Sequence, residues 1–273
     1  MNILIAEKLA PAGVELFQSQ PGWNVIVSTP KEYAQHLASA DALLVRSAVQ
    51  VTKEVLEKAP HLRVIGRAGV GVDNVDLDAA TAAGVLVMNT PGGNAISVAE
   101  HTFALMLAMA RRIPQATFST RAGKWEKKNL TGSELRGKTL GIVGLGSIGR
   151  EVVKRARAFE MRIVGHDPYV TSQIAKDLGV ELVDLPGLYA QSDYITLHVA
   201  LTPETEGLLS TEAFQQMKPG VRIVNCARGE LINEAALEQA IQAKIVAGAA
   251  LDVFSAEPPP QGFPLFAFES VFP

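Results

Sequence analysis

The sequence has a single cysteine, Cys226, among its 273 residues, and only 6% of the residues are aromatic. One cysteine excludes an internal disulfide and fits a reducing compartment. No apolar run approaches the roughly 20 residues that a membrane-spanning helix needs, since the most apolar window covers only residues 103–110. The N-terminus has neither a basic segment nor a long apolar segment, so we predict no signal peptide and a cytoplasmic location.

Clusters of lysine and arginine are also missing. The net charge is −3, and acidic and basic residues are interspersed along the chain. The sequence therefore offers no basic patch for a nucleic acid or for an anionic membrane surface. With 48% hydrophobic and 19% charged residues, the composition is typical of a folded globular protein. We predict a small-molecule ligand, with no nucleic-acid or membrane partner.

Short β-branched runs alternate with helical patterns along the chain, which predicts parallel sheets covered by helices. A loop at residues 89–94, with two glycines and one proline, is the predicted domain boundary. Predicted strands before this loop are Ile3–Ile5, Val25–Val27, Leu43–Val45, Val64–Ile65 and Val85–Met88. Predicted strands after it are Thr139–Val143, Arg162–Gly165, Tyr194–Leu197, Arg222–Asn225 and Ala247–Leu251. A further strand is predicted to begin at Val271–Phe272.

A capping box at Ser97 and Glu100 predicts the start of a helix that continues to about Ala110. This helix is apolar nearly all round, which predicts burial. The pattern leaves open whether the helix is buried within one domain or between two subunits.

A glycine-rich loop follows the strand Thr139–Val143 and precedes a helical pattern from Arg150 to Phe159. The sequence G-x-G-x-x-G at Gly144, Gly146 and Gly149 is typical of a dinucleotide-binding loop only in this strand–loop–helix context. Its glycines would permit a tight turn, the approach of the pyrophosphate to the backbone, and close packing of helix on strand. The pyrophosphate would then lie at the positive end of the helix.

Asp167 lies 18 residues beyond Gly149, at the end of the next strand. Its carboxylate would accept hydrogen bonds from the adenosine ribose and would repel a 2′-phosphate, so we predict NAD rather than NADP. The alternative is a structural glycine turn with a solvated aspartate.

Motifs along most of the chain resemble those of the D-2-hydroxyacid dehydrogenase family, in the family's order. Beside the glycine loop they are Val45-Arg46-Ser47, residues 67–76, residues 89–94, His166-Asp167-Pro168, Gly207-Leu208-Leu209, residues 225–229, and residues 251–254 with Glu257-Pro258. The resemblance implies an α/β fold of two doubly wound parallel-sheet domains. Residues 1–92 would form a flavodoxin-like substrate domain, and residues 93–273 a Rossmann NAD-binding domain that is incomplete at its C-terminal end.

The resemblance also implies roles for individual residues. Arg228 would hold the substrate carboxylate and carbonyl, as the planar guanidinium suits, and Glu257 would raise the pKa of a catalytic histidine. Alternatives from spacing alone are a surface ion pair for Arg228, a solvated loop residue for Glu257 and a cap for Asp252. Cofactor contacts would come from Val70, Gly144, Gly146, Ser147, Ile148, Gly149, Asp167, Val199, Cys226, Ala227 and Asp252. Cys226 is predicted to be a buried thiol rather than a nucleophile, and no metal is implied.

The substrate contacts implied by the resemblance are Arg46, Arg67, Gly69, Gly71 and Asn94. Both arginines match positions near phosphate and carboxylate groups in the branch of the family that oxidises 3-phospho-D-glycerate to 3-phosphohydroxypyruvate, the first step of serine biosynthesis. Activity on another D-2-hydroxy acid, or a non-catalytic NAD-binding module that recruits partners, remains an alternative. The resemblance further implies a homodimer or a higher homo-oligomer.

The family's catalytic histidine is expected about three residues beyond Pro273, so we expect this chain alone to be a poor catalyst, because loss of a general base costs about 10²–10⁴-fold in rate. Among the histidines present, His101 is predicted to be a satisfied core or interface residue. His198 is predicted to be structural, His166 to pack near the adenosine pocket, and His36 and His61 to lie on the surface.

Overall fold

Two all-parallel β-sheets organise the computed structural model, which describes every residue from Met1 to Pro273. The chain folds as two units, Met1–Asn94 and Ala95–Pro273. The first unit ends two residues beyond the boundary predicted from the sequence. None of the helices is both long and apolar enough to cross a bilayer.

The first unit has five strands in the order β2-β1-β3-β4-β5. The strands are β1 Asn2–Ile5, β2 Asn24–Val27, β3 Ala42–Val45, β4 Val64–Arg67 and β5 Leu86–Met88. The helices are α1 Pro11–Gln18, α2 Lys53–Glu57 and α3 Leu77–Ala82, with a 3₁₀ helix at Tyr33–Ser39. This order is the flavodoxin-like one, in which ligands bind where the strand order reverses, between the carboxyl ends of β1 and β3.

The second unit has seven strands in the order β12-β11-β10-β9-β6-β7-β8. The strands are β6 Thr139–Val143, β7 Arg162–His166, β8 Glu181–Leu182, β9 Tyr194–Leu197, β10 Val221–Asn225, β11 Val246–Leu251 and β12 Val271–Phe272. The helices are α4 Ala95–Arg111, α5 Ile113–Arg121, α6 Ser147–Ala158, α7 Ser172–Leu178, α8 Leu185–Gln191, α9 Thr211–Gln215 and α10 Glu234–Gln242. Short 3₁₀ helices lie at Gly229–Leu231 and Pro264–Ala267.

The strand order of the second unit is that of a Rossmann fold with one further strand, β12, at the β11 edge. The order reverses between β6 and β9, so the loops that follow these two strands flank the crevice where such sheets bind nucleotides. Apolar side chains cover both faces of the sheet, which explains why its central strands are nearly continuous runs of buried residues. The predicted fold class is confirmed for both units.

One local prediction was wrong, and one strand was missed. Ser97 is the third residue of α4, which begins at Ala95, so it does not cap that helix. Strand β8 was not predicted, because a strand of only two residues has no pattern long enough to indicate it. Burial of α4 is one-sided: Phe103 and Met106 are buried, whereas Leu105 and Leu107 are only partly buried and Ile96 is 58% exposed.

Candidate functional site: a dinucleotide loop and an arginine-bearing sheet edge

The glycine loop joins β6 to α6, and its geometry requires glycine at two positions. Gly144 has φ +94°, and a Cβ there would lie 2.5 Å from the carbonyl oxygen of His198. A Cβ on Gly149 would collide with the carbonyl oxygen of Gly144, so the first turn of α6 packs directly on the end of the strand. Val199 lies beside the same turn, since its Cγ1 would be 2.9 Å from a Cβ on Gly144.

Gly146 is the N-cap residue of α6, and no side chain caps this helix. A Cβ at Gly146 would meet no atom within 4 Å, so the space in front of the first turn, which includes Ser147 and Ile148, is open. A helix N-terminus attracts anions because its first amides lack partners within the helix. The residues present therefore fit a dinucleotide pyrophosphate.

Asp167 is held beside the glycine loop. Its Oδ2 accepts a hydrogen bond from the backbone N–H of Leu145 at 2.8 Å, and its Oδ1 accepts one from that of Tyr169 at 2.9 Å. Each carboxylate oxygen can accept a further bond, which leaves capacity for a ribose hydroxyl. The neighbouring His166 uses its Nδ1 in a 3.0 Å contact with the carbonyl oxygen of Val183, which fixes its ring against β8.

The turn after β10 carries Arg228, and Asn225 organises it. The buried side chain of Asn225 donates to the carbonyl oxygen of Arg228 at 2.7 Å and accepts from the N–H of Ala227 at 3.0 Å. Arg228 is half-buried, and its guanidinium donates to the carbonyl oxygen of Ala227 at 2.6 Å. Arg228 thus lies at the carboxyl end of a parallel sheet, where ligands of such folds bind.

Gly229 brings this turn against the loop that follows β11. A Cβ at Gly229 would collide with the backbone of Phe254, so only glycine permits the approach. Glu257 lies in the same loop, is exposed, and accepts a hydrogen bond from the N–H of Phe254 at 3.3 Å. No role was predicted for Asn225 or Gly229, although both lie within the family motif at residues 225–229.

Three side chains converge beyond β10 and β11. The imidazole Nε2 of His101 lies 3.1 Å from Oδ1 of Asp252, and both lie within 4.8 Å of the Cys226 sulfur. Burial raises the pKa of the Cys226 thiol to about 11, so it is protonated near neutral pH, as predicted for an unreactive thiol. Of the two positions predicted for His101, the core is excluded, since its side chain is 47% exposed. Its ring is satisfied by Asp252, and an interface position stays a prediction.

The remaining histidines do not resemble a general base. Burial lowers the pKa of His198 to about 4, and its Nε2 lies 2.9 Å from Oγ1 of Thr196, which agrees with the predicted structural role. His61 is exposed, as predicted, whereas His36 is half-buried in the 3₁₀ helix Tyr33–Ser39.

In the first unit, the loop that carries Arg46 is anchored by a buried carboxylate. Glu7 is only 6% exposed and follows β1, whereas Arg46 follows β3, so the two flank the reversal of strand order. The carboxylate accepts hydrogen bonds from the N–H groups of Arg46, Ala48 and Val49 at 2.8, 3.1 and 3.0 Å. The Arg46 side chain itself is exposed.

Arg67 ends β4, and its side chain is buried. Its Nε donates to Oδ1 of Asn74 at 2.8 Å, and its guanidinium lies so close to Gly69 that a Cβ there would overlap it. The Gly69–Gly71 segment is tied to the loop after β5, because Asn89 Nδ2 donates to the carbonyl oxygen of Val70 at 2.6 Å. Asn94, the last residue of this unit, is exposed.

Three polar side chains have hydrogen-bond partners that were not predicted from the sequence: Glu7, Asn74 and His101. Asn74 lies within the quoted 67–76 segment, but Glu7 had only one available signal, its position directly beyond a buried strand. Apart from Arg67, which is seven residues from Asn74, their partners lie 25 or more residues away, so no local pattern contains them.

Comparison with known protein families matches residues 103–272 to the D-isomer specific 2-hydroxyacid dehydrogenase NAD-binding domain. The chain belongs to the D-2-hydroxyacid dehydrogenase family. This family assignment confirms the resemblance read from the motifs and identifies NAD as the cofactor of the second unit.

The chain is 48% identical over 274 residues to D-3-phosphoglycerate dehydrogenase from Archaeoglobus fulgidus, which covers 99% of this chain and 52% of the relative. The chain thus spans about half the length of the curated relatives it matches.

Solved structures of the family are similar over the whole chain. A Thermus thermophilus protein designated TT0316 superposes with a TM-score of 0.91 at 36% identity, covering 100% of this chain and 88% of that one. D-Lactate dehydrogenase from Aquifex aeolicus, solved with NAD and lactic acid, gives a TM-score of 0.87 at 28% identity, covering 99% and 86%.

Proposed function

We propose that this chain oxidises 3-phospho-D-glycerate to 3-phosphohydroxypyruvate with NAD as the hydride acceptor. The observation that carries the proposal is the tether between the glycine loop and the acid: Leu145 N–H donates to Asp167 Oδ2 at 2.8 Å. It holds a ribose-binding carboxylate beside an uncapped helix N-terminus, which is the chemistry that NAD binding needs.

Arg228 is the proposed anchor for the 2-hydroxy acid. A guanidinium grips a planar carboxylate and its neighbouring oxygen through two parallel N–H donors. Asn225 fixes the backbone of the Arg228 turn, so the Arg228 side chain extends from a backbone of defined conformation. Bound NAD would supply the acceptor for the substrate's C2 hydride. Glu257 is proposed to tune the histidine that receives the hydroxyl proton, and Asp252 to contact the nicotinamide carboxamide.

The phosphorylated substrate is proposed on the basis of the first unit. Arg46 and Arg67 supply two positive charges beyond β3 and β4, and the Gly69–Gly71 segment offers backbone N–H groups to an anion. Asn94 is proposed to add a polar contact. The similarity to enzymes named D-3-phosphoglycerate dehydrogenase supports the same substrate.

Turnover by the 273-residue polypeptide alone is proposed to be slow. Of its five histidines, His36 and His61 belong to the first unit and His198 is buried with a pKa of about 4. His101 and His166 contact groups other than Glu257. A missing general base lowers the rate by about 10²–10⁴-fold. Turnover at rates close to those of full-length relatives would contradict this part of the proposal.

A homodimer in the cytoplasm is also proposed. Apolar side chains of α4 and α5 face solvent, with Ile96 58%, Ile113 50% and Phe118 74% exposed. Exposed apolar surface is one feature of protein interfaces. Light scattering on purified protein tests this, and a mass equal to one 29.1 kDa chain would contradict it.

Calorimetry with NADH and NADPH tests the cofactor site. Wild-type protein should bind NADH at least about tenfold more tightly than NADPH, because Asp167 accepts from ribose hydroxyls and repels the 2′-phosphate. Asp167→Asn should weaken NADH binding and reduce the ratio of NADH affinity to NADPH affinity. Asp177→Asn is the matched control, since it removes one negative charge from an exposed position of α7. Absence of NADH binding by folded wild-type protein would refute the proposal.

Substrate choice is tested by comparing 3-phospho-D-glycerate with D-glycerate and D-lactate. Arg46→Gln should weaken binding of the phosphorylated acid and leave the unphosphorylated acids unaffected. An equal loss for all three would favour a different D-2-hydroxy acid as the substrate.

A further inference from the structure

We propose that His101 is a positioning residue that fixes the carboxylate of Asp252 for the nicotinamide end of the cofactor. The inference rests on the proposed function and deepens it. It starts from the 3.1 Å contact between His101 Nε2 and Asp252 Oδ1.

The two residues lie on elements that are packed against each other. His101 is in the second turn of α4, a helix of 17 residues that packs on β10 and β11. Asp252 directly follows β11, and its N–H donates to the carbonyl oxygen of Asn225 at 2.9 Å. The backbone of Asp252 is therefore held by β10, and one oxygen of its carboxylate is held by α4.

This arrangement leaves the second carboxylate oxygen of Asp252 for a ligand. An amide NH₂ is a suitable donor to a carboxylate oxygen. Cys226 and Arg228 belong to the neighbouring turn beyond β10, so Asp252 lies on the same sheet edge as the proposed anchor for the reacting acid. That edge is where the nicotinamide must meet the substrate for hydride transfer.

The His101–Asp252 contact contributes little to folding. The two side chains are 47% and 50% exposed, and exposed ion pairs or hydrogen bonds are worth little in stability. Its effect is on binding: an exposed aspartate restricted to one orientation loses less side-chain freedom when a ligand arrives. Nε2 of a histidine donates to a carboxylate both as imidazolium and as the neutral tautomer protonated at Nε2.

The test compares NADH with ADP-ribose, which has the same adenosine and pyrophosphate but no nicotinamide. In calorimetry, His101→Ala should weaken NADH binding about three- to tenfold, the net effect of one typical hydrogen bond in water, and leave ADP-ribose binding unchanged. His101→Gln, whose side-chain amide can donate to Asp252, should restore most of the NADH affinity.

Two further variants separate positioning from a general structural effect. In an Asp252→Asn background, His101→Ala should have no additional effect on NADH binding, because the two residues act through one contact. Glu100→Ala is the matched control: it changes the neighbouring residue of α4, which pairs with Arg155 instead, and should alter neither affinity.

The outcomes are distinct. Equal weakening of NADH and ADP-ribose binding by His101→Ala would show a structural role and overturn the inference, as would unchanged NADH affinity. If wild-type protein bound neither NADH nor ADP-ribose, the proposed function would be refuted, and the inference with it. Binding of both ligands with a loss specific to NADH supports the inference.

Discussion

Asn74 connects Arg67, the last residue of β4, to the backbone of Arg46, which follows the neighbouring strand β3. Its Oδ1 accepts from Nε of Arg67 at 2.8 Å, while its Nδ2 donates to the carbonyl oxygens of Arg46 and Val49 at 2.8 and 2.7 Å. Asn74 and Arg67 are 5% and 8% exposed, so these bonds are shielded from water. One side chain thus sets the direction of a buried guanidinium and the backbone of the loop that carries a second one.

Asn74→Ala should destabilise the first unit by about 2–4 kcal/mol, because it leaves a buried guanidinium nitrogen and two carbonyl groups without their partner. Urea denaturation followed by circular dichroism measures the change. Binding of 3-phospho-D-glycerate should weaken as well, since both Arg46 and Arg67 lose a fixed position.

Asn24→Ala is the control for the Asn74 variant. The side chain of Asn24 makes an exposed hydrogen bond to Asn2, 3.1 Å long, so its removal should change stability by no more than about 0.5 kcal/mol. If both variants lost equal stability, the buried hydrogen bonds of Asn74 would contribute no more to folding than the exposed one of Asn24.

Glu7→Gln tests the carboxylate that anchors the Arg46 loop. A glutamine presents only one acceptor oxygen, and its NH₂ would face backbone N–H groups that now donate to Glu7. We expect the unfolding free energy to fall by about 1–3 kcal/mol, the cost of unsatisfied buried donors. NADH affinity should not change.

Glu15→Gln makes the same chemical change on α1 at an exposed position, and it should leave stability unaltered. A stable Glu7→Gln protein with normal substrate affinity would contradict the anchoring role of Glu7.

Gly149→Ala tests whether the close approach of α6 to the glycine loop is needed for NAD. The added Cβ would collide with a backbone oxygen of Gly144, and backbone cannot move as a flexible side chain can. Calorimetry should find NADH binding lost or weakened by more than tenfold, about 1.4 kcal/mol.

Gly13→Ala supplies the contrast, because a Cβ at that position in α1 meets nothing within 4 Å. Alanine is the better helix former, so this variant should be more stable by about 0.5–1 kcal/mol and bind NADH normally. Normal NADH binding by Gly149→Ala would mean that the loop tolerates a wider turn than the structure has.

The sequence was sufficient for the strands and for the nucleotide loop because both follow local rules. Thr139–Val143 and Tyr194–Leu197 were predicted with their observed bounds, since buried parallel strands are short, nearly continuous apolar runs. The predicted start of α4 was wrong, because Ser97 and Glu100 match a capping pattern although the helix already begins at Ala95.

Long-range partners explain the rest of what was missed. Glu7 bonds to a loop about 40 residues away, and His101 to a residue 151 positions along the chain. An apolar helix pattern also predicts burial for every position between its apolar residues, which is why the pattern indicated a core or interface position for His101 and not its contact with Asp252. The motif that follows β4 contains Asn74 but does not indicate that its amide joins two loops.

His198 makes stability depend on pH. Burial lowers its pKa from 6.5 to about 4. In the folded protein the ring therefore stays neutral until the pH approaches 4, whereas in the unfolded chain it takes up a proton below about 6.5. The unfolded state binds more protons than the folded state between pH 6.5 and pH 4. His198 therefore lowers the free energy of unfolding as the pH falls through this window, by up to about 3 kcal/mol.

His198→Gln should remove this dependence, because glutamine does not titrate and its amide can still bond to Thr196 Oγ1. Unfolding free energies from urea titrations at pH 7 and pH 4.5 would measure the difference: wild-type protein should lose more stability over this range than the variant. His61→Gln, at an exposed position, should behave as wild type. Equal losses in wild-type protein and His198→Gln would mean that the buried ring is protonated in the fold, and that its contact with Thr196 at 2.9 Å is made by a charged imidazolium.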